Sequence, residues 1–367
     1  MTGRDRMLTA YRGGKPDRVP VVVRGVAPWD DAWCASRDPS WAPLIDAVRD
    51  RADYEAYLHT SAFLHTAHAA PQSADSADED DWTLVTVRVH APAGDLVTRY
   101  RASKRGLPGM CVEFPVREPA HVDWALSIPY EPLMPDLPAL AALEAAVGDR
   151  GVVMLSLEDP ISYVHALLGS ERLALWSIDR PDLIDAMIAE FTRRVADTLA
   201  CLIGHGVGPV FSFTGTEYLS PPLASPAQFD RWIVEPETLF GDMIHAAGGI
   251  FWVHCHGPVS KSLDGFLAMG VDCLHPIEAP PMGDITLADA RARVGDRLCI
   301  EGNIQVGDLY AASEAHVRAA VRTALDEAGR DGAFVLCPTA SPHTQQLSCQ
   351  TIVNYLAYID EGLTSGQ

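Results

Sequence analysis

The most informative chemistry in the sequence is the triplet His254-Cys255-His256. It follows a run of apolar and β-branched residues, Ile250-Phe251-Trp252-Val253, that reads as a strand. Residues i and i+2 of a strand share a face, so His254 and His256 would project together while Cys255 turns the other way into the core. Two imidazoles from one strand plus a third donor from a neighbour can hold a transition metal such as zinc. Cys337, at the end of the strand-like run Ala333-Phe334-Val335-Leu336, is the nominated third ligand. The competing reading makes these hydrogen-bonded histidines in a polar rim. Glu217 and Glu301 also stand at strand ends, where a charged side chain needs a partner. A metal or its histidines would supply one, so both are candidate catalytic residues. His275, before Pro276, is open between a supporting residue and a turn residue; Cys273 and Cys299 read as small core residues.

These residues need a scaffold that gathers strand ends. From Val152 onward, strand-like and helix-like stretches alternate. The strand-like runs are 152–157, 209–213, 250–254, 273–277, 298–301 and 333–336, with helical patterns between them. Such alternation implies a parallel sheet. Adding Val19–Val23 and a weaker run at Tyr54–His59 gives eight strands, which predicts a closed (β/α)8 TIM barrel. In that fold the chemistry sits at strand C-termini. The ends here are rich in it: Ser156-Leu157-Glu158-Asp159, Thr214-Gly215-Thr216-Glu217, His275-Pro276-Ile277-Glu278, Glu301-Gly302-Asn303 and Cys337-Pro338-Thr339.

Before Val152 the pattern differs. Asp5 to Arg12 is amphipathic, and 71–81 is acidic and polar, which predicts an exposed loop. Trp82 to Tyr100 alternates around Ala91-Pro92-Ala93-Gly94-Asp95 and predicts an N-terminal β-hairpin, at 82–103, inserted into a single domain spanning 1–367.

The 367 residues carry 28 basic and 49 acidic side chains, a formal charge of −21. That surface repels phosphate backbones and anionic lipid, so neither nucleic acid nor membrane is expected as a partner. No apolar run reaches the roughly 20 residues of a membrane span, and residues 1–15 do not resemble a signal. The eight cysteines contain no CxxC pair and read as reduced thiols, which points to the cytoplasm. No Gly-rich nucleotide fingerprint follows any strand.

Several segments together resemble the uroporphyrinogen decarboxylase superfamily. They are Gly14-Lys15-Pro16-Asp17-Arg18-Val19-Pro20-Val21, Ala246-Ala247-Gly248-Gly249 before the His-x-His strand, Gly270 to Pro276, Gly295-Asp296-Arg297-Leu298 and Gly302-Asn303-Ile304. The decarboxylase branch of that superfamily carries an Arg-Gln-Ala-Gly-Arg stretch after the first strand. This sequence has Arg24-Gly25-Val26-Ala27-Pro28-Trp29, a single arginine where a polycarboxylate needs several fixed cations. The resemblance is closer to the zinc-dependent methyltransferases that move methyl groups between corrinoid proteins and a thiol. Their zinc motif is His-x-Cys-Gly with a later Cys. Here His256 stands in place of that Cys, and Cys337 lies about three positions early.

A ligand set of His254, His256 and Cys337 brings one negative charge, where two thiolates would bring two, and leaves zinc a stronger Lewis acid. The expected function is therefore zinc-dependent, methyltransferase-like chemistry on a small-molecule substrate, with a corrinoid supplied by a partner protein or by the substrate. The alternatives are a lyase, decarboxylating a small carboxylic acid on the same barrel, and a non-catalytic corrinoid-binding subunit.

Overall fold

The computed structural model describes residues 1–60, 70–105, 107, 109–132 and 134–366. In chain order its strands are β1 (Tyr54–His59), β2 (Gln72–Glu79), β3 (Trp82–Ala91), β4 (Gly94–Ser103), β5 (Met110–Glu113), β6 (Gly151–Glu158), β7 (Val210–Thr214), β8 (Ile250–His254), β9 (Cys273–His275), β10 (Cys299–Ile304) and β11 (Phe334–Pro338).

Seven of these form one curled parallel sheet in the order β1-β6-β7-β8-β9-β10-β11. Each neighbouring pair follows the chain, with helices such as Pro181–Gly204 and Glu235–Ala246 in the connections. Residues 20–22 lie between the two edge strands: Val21 bridges Leu336 and Val22 bridges Asp53. Backbone bonds from Val22 to Leu336 (3.0 Å), Leu336 to Pro20 (3.0 Å) and Asp53 to Val21 (2.8 Å) hold that segment to both edges. Asp53 fixes it further, accepting from Arg6 and Arg18 (2.8 Å each) and from the Val21 amide (3.0 Å).

Alternation along the strands divides the apolar residues into two clusters. Phe211, Phe213, Val253, Leu274, Ile300 and Leu336 belong to the larger one, shared with the helices. Val210, Ile250, Trp252, Cys273, Cys299 and Cys337 belong to the smaller one, inside the curl. The helix Gly3–Tyr11 contributes Met7, Ala10 and Tyr11 to that inner cluster.

β2 to β5 form a separate antiparallel sheet in chain order. β3 and β4 pair from Trp82↔Ser103 to Ala91↔Gly94, within the expected hairpin. The acidic stretch expected as a loop is instead strand β2, exposed along nearly its whole length. Its own residues favour a strand weakly; pairing with β3 supplies the order, and basic residues on β3, on β4 and just after β4 supply ion-pair partners for its acids. Asp75 meets Arg88, Asp78 meets Lys104 (2.9 Å) and Glu79 meets Arg101 (2.8 Å). Charged side chains along such an edge also discourage pairing with another chain. Among the described residues, no helix is long and apolar enough to cross a membrane.

Candidate active site

β8 carries Trp252 and His254 on the inner face, and β9 sets His275 directly beside His254 in register. The two rings lie edge to edge and nearly coplanar, with centroids 5.1 Å apart and planes 22° apart, and Nδ1 of one lies 2.9 Å from Nδ1 of the other. Trp252 stacks on His275 (5.6 Å, 17°) and His254 (6.1 Å, 11°). Nε2 of His275 donates to the Pro338 carbonyl at 3.1 Å. Burial drives both imidazoles well below the ordinary histidine range, helped for His254 by His275 and for each by the Arg24 cation. Both rings are therefore neutral near pH 7.

His256 lies past the end of β8, its ring 4.5 Å from that of His254 and nearly perpendicular to it (88°). Nδ1 of His256 meets the carboxylate of Glu278 at 3.3 Å, and the same oxygen accepts the Gly257 amide at 2.7 Å. Burial would push Glu278 up, but these two hydrogen bonds outweigh it and leave its carboxyl lowered.

Deeper inside the curl are Glu301, Glu55, Tyr57 and Arg24. Glu301 accepts from Trp252 Nε1 at 2.9 Å, while its second oxygen has no partner. Burial and the nearby Glu55 carboxylate push Glu301 well above the ordinary range, which favours its protonated form. That suits a proton donor and argues against Glu301 as the proton acceptor. Arg24 is hydrogen-bonded to Tyr57 and lies 3.9 Å from Glu55.

Glu217 is at the rim. Gly215 turns the chain there with φ 124°, and a Cβ at that position would meet Ser162 Oγ at 1.6 Å. Glu217 lines a cavity of about 400 Å³ with Glu158, His165 and Tyr218. Burial raises its pKa, opposed in part by His256, and its Oε2 is buried without a partner. A rim carboxylate with an oxygen unmet among the described residues suits a proton acceptor.

The structure thus brings His254 and His256 together and sets Glu217 within electrostatic reach of His256. It places Cys337 with a different group: ligand atoms of His275, Glu301 and Cys337 all lie within 4.8 Å of one another. These donor types all suit zinc. In that group, however, both His275 nitrogens are already engaged, Glu301 favours its protonated form, and burial holds the Cys337 thiol well above its ordinary range. His254 and His256 fit a metal better. Each is engaged through Nδ1, by His275 and by Glu278, and neither Nε2 makes a hydrogen bond among the described residues. Partners behind the ligating ring are usual for metal-bound histidine.

His275, Glu278, Glu55 and Tyr11 were not among the site residues expected from sequence. Glu55 had a signal, a lone charge in the run Tyr54–His59. Tyr11 had none, because its partners lie 44 and 290 residues away.

The sequence matches the family model for uroporphyrinogen decarboxylase (URO-D) over residues 108–345. A methyltransferase from Methanosarcina mazei is similar in structure, with a TM-score of 0.64 at 15% identity, covering 98% of this chain and 99% of that one. A Bacteroidetes-affiliated GH5 cellulase linked with a polysaccharide utilization locus gives a TM-score of 0.37 at 10% identity, over 69% of this chain and 77% of that one. Comparison with curated protein sequences gave no match.

Proposed function

This chain belongs to the uroporphyrinogen decarboxylase family, and on that premise we propose that it is a metal-dependent methyltransferase. We read residues 1–367 as a single domain. Residues 20–22 complete a closed (β/α)8 barrel, and the β2–β5 sheet is an insertion on it. The observation that carries the reading is the paired arrangement of His254 and His256, each engaged at Nδ1 and, among the described residues, without a hydrogen bond at Nε2. The fold shared with the Methanosarcina mazei methyltransferase supports it.

In this reading zinc would be held through His254 and His256, with Cys337 left out of that set because its thiol lies with His275 and Glu301, and when bound it would supply a Lewis acid that makes an acceptor thiol or alcohol more acidic. Glu217 takes the acceptor's proton, and the acceptor's lone pair attacks the methyl carbon. A methyl-corrinoid, as the donor, would supply an electrophilic methyl group and retain the electron pair of the bond that is broken. Glu278 and His275 hold the two histidines in place.

The test is turnover of methylcob(III)alamin with 2-mercaptoethanol, followed by the corrinoid spectrum and by thioether formation. The reading predicts turnover by the zinc-loaded protein and none by His254→Ala. No thioether from the zinc-loaded protein would overturn methyl transfer to thiols.

A second reading rests on Glu301. An acid whose protonated form is favoured inside the curl can return a proton to the carbanion left when CO2 departs from a small carboxylic acid. Uroporphyrinogen is not the expected substrate, because Arg24 is already engaged by Tyr57 and lies beside Glu55. Porphyrinogen product above a no-enzyme control would contradict that exclusion.

A further inference from the structure

We propose that His275 is a positioning residue that fixes the tautomer of His254, holding its proton on Nδ1 and its lone pair on Nε2. The inference rests on the reading of His254 as a ligand only for its purpose; the tautomer itself follows from hydrogen bonding.

The Pro338 carbonyl can only accept, so His275 Nε2, at 3.1 Å, must carry a hydrogen. A neutral imidazole has one N–H, which leaves the lone pair of His275 on Nδ1. That nitrogen lies 2.9 Å from Nδ1 of His254, so His254 must donate from Nδ1. The remaining nitrogen of His254, Nε2, then carries the lone pair. A doubly protonated His275 would reverse the direction, but it would leave a cation at a fully buried position where, among the described residues, neither ring nitrogen is hydrogen-bonded to a carboxylate. The Trp252 ring lies nearly parallel to both, 11° from His254 and 17° from His275. Metal binds a histidine only through a lone pair, so the chain Pro338–His275–His254 prepares the correct nitrogen before any ion arrives.

The two hydrogen bonds of His275 decide what can replace it. In Asn, Oδ1 takes the place of the imidazole Nδ1 and can still accept from His254. In Gln, the amide reaches the position of Nε2 and can serve Pro338, but nothing at the Nδ1 position accepts. A packing role would favour Gln, which is the larger.

The experiment is 15N NMR of ring-labelled histidines in the metal-free protein, together with zinc titration of wild type, His275→Asn and His275→Gln. In the wild type, His254 should show a protonated Nδ1 and an unprotonated Nε2. His275→Asn should keep that pattern and bind zinc within a few-fold of wild type. His275→Gln should mix the tautomers and weaken zinc by about 10–100-fold, the usual cost of losing such a partner. A wild-type His254 protonated on Nε2 would overturn the proposal whatever the variants do, and so would equal zinc affinity in the two variants. Failure of the wild type to bind zinc, with the tautomer as stated, would instead sink the metal reading and leave the assignment of His275 intact.

Discussion

Glu55 and Glu301 share one phenol: the hydroxyl of Tyr11 lies 2.7 Å from Glu55 and 3.3 Å from Glu301. Three distant parts of the chain, the first helix, β1 and β10, thus meet at one buried point. With Arg24 as the nearby cation, one carboxylate can be charged cheaply and two cannot. Burial and the neighbouring Glu55 carboxylate raise Glu301 well above the ordinary range, which favours its protonated form.

Glu301→Gln should therefore fold with stability within about 1 kcal/mol of wild type at pH 7, since a neutral group replaces a neutral group of similar shape. Urea unfolding checks this. A loss several times larger would show that Glu301 is ionised in the native protein. If the decarboxylase reading holds, the same variant loses activity, because an amide cannot donate the proton.

A second buried carboxyl lies outside the site. Asp159, at the end of β6, is fully buried, accepts from Thr216 at 2.6 Å, and leaves its other oxygen unpartnered. Burial, outweighing the Thr216 hydrogen bond, pushes its pKa from the ordinary 3.8 to about 7, with Glu217 adding to the rise. Glu237 is pushed up by burial and by Asp159. A raised carboxyl means that the native state binds more protons than the unfolded state between these two values, so stability falls as pH rises from about 4 to about 7. Asp159→Asn should flatten part of that slope and gain about 1–3 kcal/mol at pH 8. Thermal melts across pH 4–8 with parallel slopes for the two proteins would refute the assignment.

His256→Cys tests the exchange of an imidazole for a thiolate. Zinc should stay bound, because both donors suit it. The metal would carry one less positive charge, so a substrate bound to it becomes less acidic and the pH–activity curve moves upward. Zinc lost from this variant, or a curve that does not move, would take His256 out of the ligand set.

Most of the parallel sheet was legible because each strand is a short apolar run between breakers, and the alternation inside it survives in the structure: Val253 and Cys255 pack outward while Trp252 faces inward. The strand at Gln72–Glu79 was not, because Asp, Ser and Ala carry no strand signal and the order comes from a partner on β3. Strand periodicity accounts for His254 facing inward, whereas His256 lies past the end of β8 and comes beside it through the loop. The partners behind the two rings were not legible: His275 and Glu278 come from the next strand and its loop, and register between strands is set by packing that no single segment displays. Cys337 was correctly placed on a strand, yet its neighbours are His275 and Glu301, a grouping fixed by how far β11 is staggered against β10.

The central claim is a metal ion on His254 and His256, and zinc content measures it most directly. Protein purified without chelator, or reconstituted with zinc and desalted, should hold close to one zinc per chain, and His254→Ala and His256→Ala should each lose it while keeping a wild-type circular dichroism spectrum. A folded wild type that holds no zinc after reconstitution, or two alanine variants that hold as much as the wild type, would contradict it.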